Sequence, residues 1–284
     1  MEGFTSIEAL MTDAPDRITP AIDFDREFAG LFDLTGQVAF LPGGSGGLGE
    51  AIAWGLARHG AAVAIAGRDK AKAEVLAAAL TNARHSAAAF AFEATDVASI
   101  ESTVAAVADR FGRVDILVNC VGIHIEERLG EVTEATFDRV YATNLKAAMF
   151  LGQAVARRQM AAKSGGRQIH LLSVRARLGL RDRGYSAYCA TKGGLVMLVK
   201  QHAMELAPHG VTVNGVAPTF VYTEMIRHVI ERPQFRAEIE SRIPLGRIAN
   251  PKDVVGPVLF FAAPASGFVT GQVLYVDGGI TASQ

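Results

Sequence analysis

The sequence predicts an α/β protein: one doubly wound parallel sheet of about seven strands, with helices on both faces. Three observations predict it. Short apolar strand patterns alternate with helical ones from Gly36 onward. The strands are apolar at successive positions, so both of their faces are to be buried, as helices on the two sides of a parallel sheet require. A glycine-rich turn joins the first strand to the first helix, where a tight reversal is needed.

Gln37–Leu41 reads as the first strand, and an Ala-rich helix runs after the glycine turn to about His59, with Gly60 as its stop. Ala62–Ala66 is the second strand and Lys70–Leu80 the second helix. Ala89–Glu93 is the third strand, and Ile100–Phe111 the third helix, closed by Gly112. Val114–Asn119 is the fourth strand, and one long helical pattern runs from Phe137 to Ala161. Gln168–Leu172 is the fifth strand, followed by a long helix from Tyr185 with no Pro before Pro208. Val211–Val216 is the sixth strand. A helical excursion over Thr223–Glu240, a helix at Pro251–Ala262 and a last strand at Val273–Val276 complete the chain.

Residues 1–33 differ from the rest of the chain. Pro15 and Pro20 break them, and only Phe24, Phe28, Leu31 and Phe32 have helical spacing. They read as a partly flexible arm ahead of a single domain over residues 34–284, since no repeat, linker or composition break interrupts that span.

Composition narrows the function. Half of the 284 residues are hydrophobic, enough for a sizeable core, and the formal net charge is −1. No global field draws in nucleic acid or an anionic membrane, and no apolar run approaches the ~20 residues of a membrane span. The amino end carries Glu2, Glu8, Asp13 and Asp16 rather than a basic segment and an apolar core, so a soluble cytoplasmic protein is expected. The two cysteines, Cys120 and Cys189, have no metal-ligand spacing and indicate a reducing compartment, and the seven histidines are scattered. No metal is expected.

Several residue patterns carry chemistry. Gly43-x-x-x-Gly47-x-Gly49 stands between a strand and a helix, where backbone N–H groups and a helix N-terminus can approach a pyrophosphate. Tyr188 and Lys192 are four apart on a helix, hence on one face. A phenol beside an ammonium is expected to have its pKa lowered, as a proton exchanger for an alcohol/carbonyl pair requires. Alone, the same spacing far more often marks a core tyrosine beside a solvated lysine, and the rest of the chain has to overturn that reading. Asn119 and Gly122 end the fourth strand, Ser173 ends the fifth, and Asn144 lies inside a helical pattern that it disfavours. At the end of the second strand, Gly67 stands where a carboxylate would grip a ribose 2′-hydroxyl, and Arg68 comes next with a guanidinium suited to a phosphate. That favours NADP, with NAD as the alternative because Asp69 is adjacent.

Together these residues resemble the short-chain dehydrogenase/reductase family, over Phe32 to Gly279. The family's Thr-Gly-x-x-x-Gly-x-Gly loop matches at Gly43, Gly47 and Gly49, and its Asn-Asn-Ala-Gly at Asn119 and Gly122. Its Asn–Ser–Tyr–Lys tetrad falls on Asn144, Ser173, Tyr188 and Lys192, and its adenine-holding acidic residue on Asp96. The closing run from Phe268 to Gly279 is also typical of it.

The resemblance implies a Rossmann-like fold and hydride exchange between an alcohol carbon and a nicotinamide. Tyr188 would exchange the proton, Ser173 would bind the substrate oxygen, Lys192 would hold the ribose and tune Tyr188, and Asn144 would anchor a relay water. Cofactor contacts are implied at Ser45, Gly46, Leu48, Arg68, Val97, Pro218, Val221 and Thr223 as well as at the matched positions. It also implies a homotetramer, with the helices at 137–161 and 185–207 pairing across one two-fold axis and Pro251–Gly279 across another.

Within the family the chain most resembles enzymes of sugar acids and polyols, such as gluconate 5-dehydrogenases. A 3-ketoacyl thioester reductase is the alternative, and a non-catalytic NAD(P)-binding sensor or scaffold the alternative of another class. Three departures stand out: Pro42 in place of Thr, Pro218-Thr219 in place of Pro-Gly, and a Ser173–Tyr188 interval about two residues longer than usual. Substrate contacts are expected from His124–Arg128, from Arg175–Arg183 and from Val221–Ile243, with Arg175 as a ligand for a carboxylate or vicinal hydroxyls of a small polar, anionic substrate and Arg181 and Arg183 as solvated charges.

Overall fold

Seven strands form a single sheet in the order β3-β2-β1-β4-β5-β6-β7. They are β1 (Val38–Pro42), β2 (Ala62–Gly67), β3 (Ala87–Ala91), β4 (Ile116–Asn119), β5 (Gly166–Leu171), β6 (Val211–Pro218) and β7 (Val273–Val276). Every neighbouring pair is parallel. The structure is a computed structural model that describes residues 28–282, apart from 225, 226 and 228–230. Phe32–Gln284 forms one compact unit. Phe24, part of the amino-terminal helical pattern, lies outside the described residues.

Alternation along the strands explains why both faces need helices. In β1, Ala39 and Leu41 enter one apolar cluster with Val63 and Ile65 of β2 and Ile116 and Val118 of β4. Val38 and Phe40, Ala64 and Ala66, and Leu117 enter the cluster on the opposite face. The first cluster is closed by α1 (Gly47–Arg58), α2 (Lys70–Asn82) and α8 (Pro251–Ala262). The opposite face is closed by α3 (Val97–Phe111), α5 (Ala147–Ala162) and α6 (Ser186–Leu206). A strand apolar on both sides gains burial only if both sides are covered.

Local signals set most helix ends. Asp69 caps α2 by accepting from the Lys72 N–H, and Asp96 caps α3 by accepting from the Ala98 N–H. Asn250 and Asp253 form a capping box at α8, and Gly112 ends α3 in the left-handed region at φ 82°. No helix among the described residues is long and apolar enough to cross a membrane.

Three elements differ from the sequence reading. β3 starts and ends two residues earlier than Ala89–Glu93, because its ladder with β2 pairs Ala87 with Val63. The long helix expected at 137–161 is α4 (Glu134–Tyr141), a π-helical turn at Ala142–Lys146, and then α5. In the excursion after β6 the described helix α7 (Pro233–Ser241) ends one residue beyond the expected Glu240 and is begun by Pro233 at a position where its missing N–H costs nothing, while 225, 226 and 228–230 lie outside the described residues.

The strand order reverses between β1 and β4. The loops leaving their carboxyl ends therefore diverge and leave a crevice.

Candidate active site

That crevice is a cleft of about 850 Å³, lined at one end by Gly43, Gly46, Gly47 and Gly49 and at the other by Ser173, Tyr185 and Tyr188. The glycines are demanded by contact. A Cβ on Gly43, whose φ is +74°, would stand 2.9 Å from the Cys120 carbonyl carbon, and one on Gly49 would stand 2.6 Å from the Gly44 Cα. Helix α1 starts at Gly46 with no side-chain cap. No side chain claims its first N–H groups, although the Gly49 N–H donates to the Gly46 carbonyl, and Gly46, Gly47 and Gly49 line the cleft, a cradle suited to a pyrophosphate. Pro42 closes β1 without disturbing this loop, and the Gly43 N–H donates to the Ala66 carbonyl at 2.8 Å.

Three members of the expected tetrad, Ser173, Tyr188 and Lys192, line the other end, and Asn144 is buried outside the lining. Tyr188 and Lys192 project from the first turns of α6, where small residues allow close packing against the sheet. The Tyr188 and Ser173 hydroxyls share a hydrogen bond. The Lys192 ammonium is buried, donates to the Leu171 carbonyl at 2.8 Å, and stands 5.7 Å from the centre of the Tyr188 ring. Burial pushes its pKa down to about 8. Gly122 leaves it room, since a Cβ there would lie 3.4 Å from Nζ.

Asn144 occupies the π turn, a distortion of the helix that re-aims its side chain. Its Oδ1 accepts from the Ile123 N–H at 2.8 Å, and its Nδ2 donates to the Ile123 carbonyl at 2.9 Å and to Thr191 Oγ1 at 3.2 Å. The side chain thereby ties the π turn ahead of α5 to the loop after β4.

The expected lowering of the Tyr188 pKa is not what this geometry produces. Burial pushes the phenol up, and the Ser173 hydrogen bond opposes it. The Lys192 ammonium stands 5.7 Å from the ring centre, and the cost of desolvating the phenolate is the largest influence on the Tyr188 pKa.

At the far end of the cleft Arg68 is joined by Lys72, both in its lining. Asp69, beside Arg68, is taken as the cap of α2. Lys72 sits in the first turn of that helix, four residues beyond Arg68; the capping pattern at Asp69 was the signal that would have placed it. Glu93 and Thr95 also line this end, with the Glu93 carboxylate held below its usual range by the Thr95 N–H and hydroxyl and by Arg68.

The remaining predicted residues divide. Leu48, Gly122, Pro218, Val221 and Thr223 line the cleft. Ser45 is half-buried and outside the lining, with its Oγ 2.9 Å from where a Cβ on Gly67 would stand. Asn119 builds the turn after β4, accepting from the Val121 N–H at 3.0 Å. Asp96 and Val97 start α3 just outside the lining, which runs through Phe92–Thr95 instead.

On the substrate side, His124 lies in the cleft, stacked on Tyr185 at 3.9 Å and edge-on to Tyr188 at 5.1 Å. Burial lowers its pKa, so the ring is neutral near pH 7. Glu126, Glu127 and Arg128 hold a loop rather than face the cleft. Glu126 pairs with Arg183 and accepts from the Gly184 N–H, the Glu127 N–H donates to the Gly184 carbonyl, and Arg128 donates to the Asp182 carbonyl. The long Ser173–Tyr188 segment is therefore latched to the loop after β4, and Arg183 is a paired charge rather than a solvated one. Of the stretch Val221–Ile243, Ile239 and Ile243 are core. The sequence reading missed Tyr185, Phe220 and Thr143, which the fold brings to the wall.

A parallel sheet with a glycine cradle at its switch point and a Ser–Tyr–Lys group facing it defines a nucleotide-dependent oxidoreductase. Residues 43–281 match the family model described as enoyl-(acyl carrier protein) reductase. The chain is 36% identical over 253 residues to gluconate 5-dehydrogenase of Gluconobacter oxydans, covering 89% of this chain and 98% of that protein. It is 36% identical over 261 residues to D-threitol dehydrogenase of Mycolicibacterium smegmatis, covering 92% and 96%. The crystal structure of a gluconate 5-dehydrogenase from Burkholderia cenocepacia in complex with NADP and tartrate superposes with a TM-score of 0.86 at 32% identity, covering 90% of this chain and 99% of that one. The chain belongs to the short-chain dehydrogenase/reductase family.

Proposed function

We propose that this protein is an NADP-dependent oxidoreductase that interconverts a secondary alcohol and a ketone on a small sugar acid or polyol. The observation that carries it is the convergence of Ser173, Tyr188 and Lys192 on a cleft whose other end presents a helix start without a side-chain cap and two cations, with Asn144 buried behind them on Ile123. The relatives named for gluconate and threitol, and the neighbour holding NADP, support the same reading.

A dinucleotide fits the cradle that Gly43, Gly47 and Gly49 leave open. Its pyrophosphate would lie on the N-terminus of α1, and its 2′-phosphate between Arg68 and Lys72. When bound, the nicotinamide supplies the hydride chemistry. Tyr188 exchanges the hydroxyl proton, and Ser173 holds the substrate oxygen within reach of it. Lys192 binds the ribose and keeps positive charge near the phenol, while Asn144 fixes the loop after β4. His124 and Tyr185 present an aromatic wall to the substrate.

A panel of sugar acids, alditols and simple secondary alcohols, run with both cofactors, tests this reading. Turnover is expected with the polar substrates, and NADP is expected to give the higher kcat/KM. Arg68→Ala is expected to narrow that preference by about 1–3 kcal/mol, the scale of a charge-assisted hydrogen bond. A wild-type preference for NAD would overturn the role of Arg68. A relative named 3-oxoacyl-(acyl-carrier-protein) reductase, 35% identical over 248 residues, favours a second reading, a 3-ketoacyl thioester reductase, for which thioesters alone would turn over. Cofactor binding without turnover on any of these would indicate a sensor.

The reading includes a homotetramer. Phe137, Tyr141, Met149, Met197 and Met204 leave α4–α6 with exposed apolar side chains, and Phe268 and Leu274 do so near the carboxyl end. Burying both patches takes two different interfaces. Light scattering at micromolar concentration is expected to give four times the chain mass; a monomer would refute it.

A further inference from the structure

Among the described residues, Arg175 is a buried cation with no counter-ion. It stands two residues beyond Ser173 in a short turn, is 8% exposed, and its own N–H donates to Ser173 Oγ at 3.1 Å. Nη1 donates to the Leu178 and Gly179 carbonyls. Nε and Nη2 have no hydrogen bond to the described protein, and neither is sealed from solvent. No carboxylate of the described residues pairs with the guanidinium. The charged or ionisable groups that act on it are Cys189, Tyr185, Tyr188 and the like-charged Arg242.

Arg175 also stands in the wall between two cavities, the reaction cleft and a second one of about 180 Å³. In the second, Glu238 is taken by Arg242 and Arg183 by Glu126, while Arg181 and Asp182 are exposed and make no ion pair. Its apolar side is Phe220, Phe235 and Ile239. Burying an unpaired guanidinium is unfavourable, and two carbonyl acceptors offset only part of its lost hydration. A ligand oxyanion would complete the site, and the free Nε–Nη2 edge has the fork geometry that such a group accepts.

We propose that Arg175 anchors an oxyanion of the substrate, a carboxylate or a phosphate, and that the second cavity receives this anionic end while the reacting carbon stays at Ser173 and Tyr188. The inference rests on the reaction proposed above and names its substrate class as anionic. Arg175 is then the specificity residue of the site.

The test uses the cofactor-loaded protein, with a sugar acid, the alditol of equal length and a sugar phosphate as substrates. Arg175→Met is expected to lower the kcat/KM ratio of acid to alditol by about twentyfold or more, mainly through KM, with Arg175→Lys intermediate. A larger loss for the phosphate than for the acid would identify phosphate as the anion. An equal loss for acid and alditol overturns the anchor and leaves the proposed reaction standing. Calorimetric titration of the acid needs no turnover: binding that Arg175→Met weakens about tenfold or more supports the anchor even if the reaction is wrong. Should Arg175→Met fail to fold, Arg242→Ala and Arg181→Ala are expected to raise the acid's KM severalfold while the alditol's moves less, and no difference between the two overturns the proposal.

Discussion

Tyr188→Phe is expected to cost about 100- to 10,000-fold in turnover, the range of a lost general acid–base, while cofactor affinity stays near that of the wild type. The substitution removes one oxygen from a buried ring and leaves the glycine cradle, Arg68 and Lys72 intact. Lys192→Ala is expected to lose activity and affinity together, because in the proposed reaction the ammonium would serve both the ribose and the phenol. Its loss also leaves the Leu171 carbonyl without its 2.8 Å donor. Steady-state rates beside calorimetric titration of NADP separate the two effects. If Tyr188→Phe keeps a tenth of the wild-type rate, another group exchanges the proton.

Gly49→Ala is expected to be the most damaging single methyl in the chain's nucleotide loop. The added carbon would stand 2.6 Å from the Gly44 Cα and 2.8 Å from its carbonyl carbon and oxygen, all backbone atoms that cannot rotate away. Relief requires moving the loop off the start of α1, so cofactor affinity is expected to fall by more than about tenfold and stability by about 1–3 kcal/mol, the usual cost of overpacking. Gly256→Ala is the contrast, because nothing lies within 4 Å of that position in α8. It is expected to hold or slightly raise the melting temperature. Thermal unfolding and NADP titration of both variants decide the matter, and a Gly49→Ala protein that binds normally would show that the loop is not the cradle.

Legibility in the sequence tracked the range of the interactions. The β7 and α8 boundaries were read as the structure has them, since Pro251 and the flanking turns are local signals. The helix at 137–161 was read as continuous because its apolar period passes through Ala142–Lys146 unchanged, and the π turn appears only where Asn144 is drawn to Ile123. Asp69 looked like a rival ribose ligand until the fold showed its carboxylate on the Lys72 N–H.

The sequence by itself determined the strand–helix alternation, the glycine spacing and the placing of Tyr188 and Lys192 on one helical face. Each depends on a period of two or 3.6 residues, or on contacts within a turn, and the chain carries these wherever it folds. Only the tertiary structure decided that Lys72 stands with Arg68, that His124 stacks on Tyr185, and that Tyr188 is pushed up while Lys192 falls to about 8. It alone left Arg175 buried without a carboxylate. Desolvation and charge pairing depend on which distant segments close over a group, and the sign of each shift is settled by burial rather than by neighbours in sequence.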